Sequence, residues 1–117
     1  MHTKTLPVEI ALEIYRQEIS LARLALECGT YNVCFSHLER AHVVSQHMTA
    51  RHVYVHWLML VAGLRRADYR EALGQIPRIL ASLLFSRIWV PRGNTGRARV
   101  SSLRQMPIPD DLRHLVL

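Results

Sequence analysis

Between Val8 and Glu27 the apolar residues fall at Ile10, Ile14, Leu21, Leu24 and Ala25, with charged residues between them. That spacing, free of internal glycine and proline, predicts an amphipathic helix. Pro7 stands where helices often begin, and Gly29 and Thr30 close the element. A second helix is predicted from Tyr31 to His47, with Cys34, Leu38, Ala41 and Ser45 on one stripe. Met48 to Ala50 form a short joint, Arg51 to Leu64 a third helix, and Arg65 to Ala67 the next connection. Asp68 suits the N-cap of a fourth helix, with Glu71 three places on to complete a capping box. This helix reaches Phe85, kinked or split at Pro77. After Trp89 the periodicity dissolves. VPRGNTGRARVSS (90–102) reads as turn and extended chain, and MPIPDDLRHLV (106–116) as a proline-set segment entering a short terminal helix.

The pattern repeats. GTYNVCFSHLERA (29–41) and RADYREALGQIPRI (66–79) align Tyr31 with Tyr69 and Cys34 with Ala72, an offset of 38 residues. In each copy an aromatic residue opens the second helix, and a small residue three places later lets two helices approach. Ala22 and Ala41 fit the same small positions. This resembles the tetratricopeptide pattern, although that repeat is ~34 residues long and its tryptophan and terminal proline positions are not matched. The fold expected is all-α: two stacked antiparallel helical hairpins in a tetratricopeptide-like array (8–88), with a tail (89–117) wrapping them. A length of 117 residues, half of them apolar, suits one domain, 1–117.

Charge adds an asymmetry. Residues 1–50 carry four basic and five acidic side chains, and residues 51–117 carry eleven and four. Five arginines and no acid lie between Arg87 and Arg104. This reads as a solvated loop face that could meet anions. With few interleaved aromatics and no reading motif, it is not expected to bind nucleic acid specifically. No apolar run approaches the ~18 residues of a membrane span. The polar stretch Met1 to Pro7 lacks a secretory core. A cytoplasmic protein with reduced Cys28 and Cys34 is expected.

The chemistry concentrates in SHLERAHVVSQHMTARHVYVHW (36–57), which holds five of the seven histidines: His37, His42, His47, His52 and His56. Antiparallel helices with short turns place residues equidistant from a turn at one level. Turns near Gly29–Thr30, Met48–Thr49 and Arg66 put Glu18, His42, His56 and Gln75 in one layer. Glu39 lies one turn from His42, and His52 one turn from His56. Imidazoles and carboxylates converging inside a bundle have the composition of a metal site. The candidate ligands are His42, His56, Glu18, His52 and Glu39, supported by Gln46, Gln75 and Arg40. Mixed nitrogen and oxygen ligands suit Zn, Fe, Co, Ni or Cu, and two histidines with one carboxylate would suit non-haem iron. The single E-x-x-H, Glu39 to His42, disfavours a dinuclear site. His37 and His47 fall off the inward stripe and read as solvated. The competing account is a buried polar cluster that only fixes helix register.

Other signals are weaker. Cys34 lies one turn from His37 but occupies a packing position, so an inert buried thiol is the better reading. GNTG (93–96) lacks the lysine and following helix of a phosphate loop and reads as a tight turn. IPRILASLLFSRIW (76–89) could lie on a membrane or grip a partner, with a core helix preferred.

Together HLERAH (37–42), HVYVHWLML (52–60), EALGQ (71–75), GNTG (93–96) and MPIPDDL (106–112) resemble a family of small bacterial proteins known only as a domain of unknown function. The resemblance runs from Glu18 to Leu112 and implies no activity. It implies that Glu39, His42, His52, His56, Glu71 and Gln75 belong to shared motifs. The family pattern has a small residue where Cys34 stands and often a glycine where Arg97 stands, so the arginine-rich tail reads as particular to this chain. The function expected is a small metal-binding protein acting in metal handling or sensing. The alternative is a tetratricopeptide-like module for a protein partner. An enzyme ranks behind both, since no general base outside the proposed ligands can be named.

Overall fold

The computed structural model describes residues 2–85 and 90–115, with side chains from Pro7 onward. Four helices follow one another: α1 (His2–Cys28), α2 (Tyr31–Ser45), α3 (Thr49–Arg65) and α4 (Tyr69–Phe85). A 3-10 segment, Asp110–Leu115, follows the irregular tail and packs on α1. No strand occurs among the described residues. The helices pack in pairs, α1 on α2 and α3 on α4, with a smaller α2–α3 contact joining the hairpins. This is the all-α hairpin array expected from the periodicity. None of these helices is long and apolar enough to cross a membrane. Arg87, Trp89 and the boundary expected between hairpins and tail at residues 88–89 lie outside the described residues.

The predicted stripes face inward. Phe35, Leu38 and Ala41 of α2 meet Val55, Met59 and Ala62 of α3 in the core, all with at most 1% exposure. Leu112 of the 3-10 segment joins them with no exposed surface. Complete burial of such a side chain contributes about 1.5–3 kcal/mol, so Leu112 is a strong apolar anchor for the end of the tail. Where small residues allow, the backbones come close. A Cβ placed on Gly63 would lie 3.0 Å from the Ala72 nitrogen, so Ala72 does let α3 and α4 approach, as the repeat predicted.

Three local expectations need correction. α1 begins well before Pro7 and continues through it. α4 continues through Pro77 to Phe85 without dividing. Proline removes the bond to the carbonyl four residues back, and both Pro77 and Leu73 are exposed, where water can serve that carbonyl. The capping box is only half formed. The Asp68 carboxylate accepts from the Glu71 backbone N–H at 3.2 Å, but the Glu71 side chain turns inward to partners described below.

Both hairpin turns use the same helix ending. After α1, the Thr30 N–H donates to the Ala25 carbonyl at 3.0 Å and the Gly29 N–H to Leu26 at 3.2 Å, with Gly29 left-handed at φ 74°. After α3, the Asp68 N–H donates to Gly63 at 2.8 Å and the Ala67 N–H to Leu64 at 3.1 Å. Here the left-handed position, φ 62°, is occupied by Ala67. A Cβ in that conformation costs about 1–2 kcal/mol. Glycine returns about 0.4–1 kcal/mol of that through the greater freedom of the unfolded chain. Ala67→Gly is therefore expected to stabilise the fold by about 0.5–1 kcal/mol. Urea unfolding measures it, and a lower midpoint in the variant would contradict the strain.

Candidate metal centre

The i, i+4 spacing of His52 and His56 puts both rings on the face of α3 that meets α2, where His42 comes down from the last turn of α2. All three are buried, at 6%, 2% and 3% exposure. Their Nε2 atoms form a nearly equilateral triangle: His42 to His56 3.1 Å, His52 to His42 3.0 Å, His56 to His52 3.2 Å. In tetrahedral coordination with Zn–N bonds of ~2.0–2.1 Å, ligand nitrogens lie about 3.3 Å apart. The triangle is therefore sized so that these three nitrogens would hold one small cation.

Outer partners decide where the ring protons sit. His42 Nδ1 is 2.6 Å from the Asn94 carbonyl oxygen, which can only accept, so Nδ1 carries the hydrogen. His56 Nδ1 is 2.6 Å from Gln75 Oε1. The Gln75 amide cannot be reversed, because its NH2 donates to Glu71 Oε2 at 2.5 Å and to the Gly96 carbonyl at 3.0 Å. His56 Nδ1 is therefore also protonated. In the neutral rings, both Nε2 atoms then present bare lone pairs to each other. His52 Nδ1 is buried and makes no well-formed hydrogen bond, with the Gln46 backbone only a weak partner.

Protonation does not relieve this. Burial pushes His42 well below the usual histidine range, and positive charge on His56 or His52 would push it further. Burial, then repulsion from His56, lowers His52 to about 3. Burial, then the Arg78 charge, lowers His56 to about 4, against the raising effect of its bond to Gln75. Three neutral imidazoles facing one point are suited to bind a metal ion.

The tail closes the centre. A Cβ on Gly96, at φ 81°, would lie 2.6 Å from the His42 ring, so only glycine brings the backbone this near. The Asn94 side chain holds the loop in shape. Its oxygen accepts from the Gly96 N–H at 2.9 Å, and its NH2 donates to Ser101 and Arg104 carbonyls at 2.8 and 2.7 Å. The turn runs from Pro91 to Asn94, closed by the Asn94 N–H on the Pro91 carbonyl at 3.0 Å, so GNTG overlaps it and is also part of the site. The spacing of its residues gave no sign that its backbone would meet His42. Behind Gln75, the fully buried Glu71 accepts from Arg97 Nε at 2.6 Å and from the Ala98 N–H at 3.0 Å.

Several expected site residues lie elsewhere. Among the described residues, only His42, His52 and His56 converge as metal-ligating groups. Glu18 instead contacts His37 Nδ1 at 2.6 Å and accepts from Arg40 Nε at 2.9 Å, and Arg40 reaches on to Asp111 at 2.5 Å. Glu39 accepts from Arg97 at 3.0 Å. The centre thus contains no carboxylate, and the two-histidine, one-carboxylate arrangement is not formed. Arg40 belongs to the Glu18 cluster. Gln75 directly orients a histidine. Gln46 instead ties the tail, to the Pro91 carbonyl at 3.0 Å and the Gly93 N–H at 3.3 Å. His37 has a carboxylate partner, whereas His47 is exposed. Nor is the arginine-rich tail simply a solvated face: Arg97 turns inward, its guanidinium 3.9 Å from the Phe35 ring centre.

A cavity of about 230 Å³ opens beside the three imidazoles, with Arg78, Phe85 and Val90 among its walls. No curated protein and no solved structure matches the chain. A family model described as "Protein of unknown function (DUF3703)" matches residues 10–116, nearly the full length, and the chain belongs to that family.

Proposed function

We propose that the protein binds one divalent transition-metal ion on the Nε2 atoms of His42, His52 and His56, and acts in metal handling or sensing. The observation that carries this reading is the 3.1 Å separation of His42 and His56 Nε2, with both ring hydrogens held on the opposite nitrogens. Lone pairs at that distance repel unless a proton or cation lies between them. At most His52 supplies one proton, which cannot satisfy both neighbours at once. A metal ion satisfies all three nitrogens. Imidazole ligands suit Zn, Fe(II), Co, Ni or Cu. Three protein ligands also leave a position open for an exogenous group, unlike the closed four-ligand sites of structural zinc.

A second reading, a protein-interaction module with a structural histidine cluster, draws on the outer face of α4. There Leu73, Leu80 and Leu84 are 65%, 57% and 68% exposed. It predicts no metal uptake, so one experiment separates the two. Chelator-stripped protein titrated with these metals is expected to bind one equivalent and to unfold at higher temperature. At about 100 times the dissociation constant the stabilisation is about 2.7 kcal/mol. His42→Ala, His52→Ala and His56→Ala should each abolish the shift. Glu18→Gln, Glu39→Gln, His37→Ala and His47→Ala should keep it. A wild-type midpoint unmoved by all five metals would leave the interaction module as the reading.

The stripped protein makes a separate prediction about pH. The three histidines have folded pKa values below the unfolded value of ~6.5, down to about 3 for His52 and about 4 for His56. Between pH 4 and 6.5 the unfolded chain therefore binds more protons, and stability falls as pH falls. Above about pH 7 their contribution is flat. With three sites the slope approaches about 4 kcal/mol per pH unit near pH 5. Denaturant unfolding between pH 5 and 8 measures it. Equal stability at pH 5 and 7.5 would mean that the triad is not held neutral.

A further inference from the structure

We propose that the open position of the metal takes a small carboxylate with a short apolar body, seated in the cavity beside the histidines with its second oxygen turned toward Arg78. This inference rests on the metal reading above. Its first support is charge. Three neutral imidazoles leave a divalent cation uncompensated, and Arg78 places a further positive charge on the same cavity. The acid behind Gln75, Glu71, is already engaged by Arg97 and the Ala98 N–H. Buried charge of one sign calls for a counter-charge, and among the described residues no carboxylate converges on these nitrogens. The compensating anion must come from outside the chain.

The second support is the polar inventory of the walls. The Gln46 side chain is engaged at both ends, by Pro91 and Gly93. Asn94 is engaged by Gly96, Ser101 and Arg104, and the Ser82 hydroxyl donates to the Ile79 carbonyl. Arg78 donates through one terminal nitrogen to Gly74 and through the other to Ala98 and Val100. Its Nε–H is buried without a partner and exposes almost no surface, so Arg78 acts on the cavity through its charge. Among the described residues the cavity thus offers an anion one coordination position, the positive charge of Arg78 and the Ser102 side chain. A carboxylate brings one oxygen to the coordination position and a single negative charge to balance Arg78. Phosphate or sulfate would press additional charged oxygens against Phe85, Val90, Pro91 and Leu103, which offer no donors. At about 230 Å³ the space exceeds the ~150 Å³ of an apolar cavity that takes benzene, enough for a short-chain or single-ring acid.

The test uses the full chain loaded with Co(II), whose visible bands respond to its fourth ligand. Acetate, benzoate and phosphate are titrated at pH 7.5. Both carboxylates are expected to shift the bands saturably, benzoate about tenfold more tightly because its ring is buried. Phosphate should leave the bands unchanged over the same range. Arg78→Met should weaken both carboxylates about tenfold while the protein still binds one cobalt. Ala81→Phe, at an exposed position on the cavity rim, should weaken benzoate more than acetate with cobalt binding intact. It serves equally if Arg78→Met does not fold. Failure to bind cobalt at all would overturn the metal reading itself. Cobalt binding with bands indifferent to every carboxylate would overturn this inference alone, as would phosphate binding as tightly as benzoate.

Discussion

Two imidazole nitrogens that face each other with their lone pairs exposed are the constraint on which the rest of this structure turns. The constraint is not made by the histidines themselves. It comes from a backbone carbonyl, Asn94, and from an amide oxygen, Gln75 Oε1, each of which binds a ring hydrogen on the far side. Remove either and the ring could change tautomer, donate to its neighbour and become an ordinary polar core pair. The outer partners therefore convert a histidine cluster into a set of donors aimed at one point, a common role for groups behind metal ligands.

The same partners explain why a tail with little regular structure has a defined path. Between Val90 and Met106 the fold holds the chain chiefly by polar ties. Gln46 takes Pro91 and Gly93, His42 takes Asn94, Gln75 takes Gly96, Glu71 takes Arg97 and Ala98, and Arg78 takes Ala98 and Val100. The Glu71–Arg97 pair lies at the centre. Such a buried pair adds little relative to an apolar replacement, but loss of one partner strands a charge at a cost of about 3–5 kcal/mol. Its contacts hold Arg97 and Ala98 close behind Gln75, which orients His56.

Periodicity made the hairpins legible, because each apolar stripe reports directly which face of a helix is buried. The turn positions made His42, His56 and Gln75 legible as one layer, with His52 one turn from His56. The same height argument misplaced Glu18, and the reason is geometric. Distance from a turn fixes the position of a residue along the helix axis but not its direction around it. Glu18 is near the predicted level, yet it faces the flank of α2 that carries His37 and Arg40, away from α3. Glu39 and Arg97 were misread for a related reason: a charged residue pairs with whichever partner the tail delivers, and an irregular segment has no period from which to infer that delivery. The role of GNTG was hidden because its contribution is a backbone carbonyl and a missing Cβ, neither of which has a side-chain signature.

The division of the molecule follows from these contacts. The α1–α2 hairpin contributes most of the apolar mass, closed by Leu112, and its acid Glu18 is paired locally with Arg40 and in contact with His37. The α3–α4 hairpin and the tail carry the polar chemistry, and α4 does so with both faces in use. Gln75 and Arg78 look toward the histidines and the tail, while Leu73, Leu80 and Leu84 look outward. The first hairpin thus supplies His42, and the second hairpin, joined to it by the smaller α2–α3 contact, supplies His52 and His56. An ion bound by all three would bridge the weaker of the packing contacts rather than reinforce the stronger ones. Occupancy of the site would therefore be felt as a change in how firmly the second hairpin and the tail are held to the first, which is the mechanical form a metal-responsive element requires.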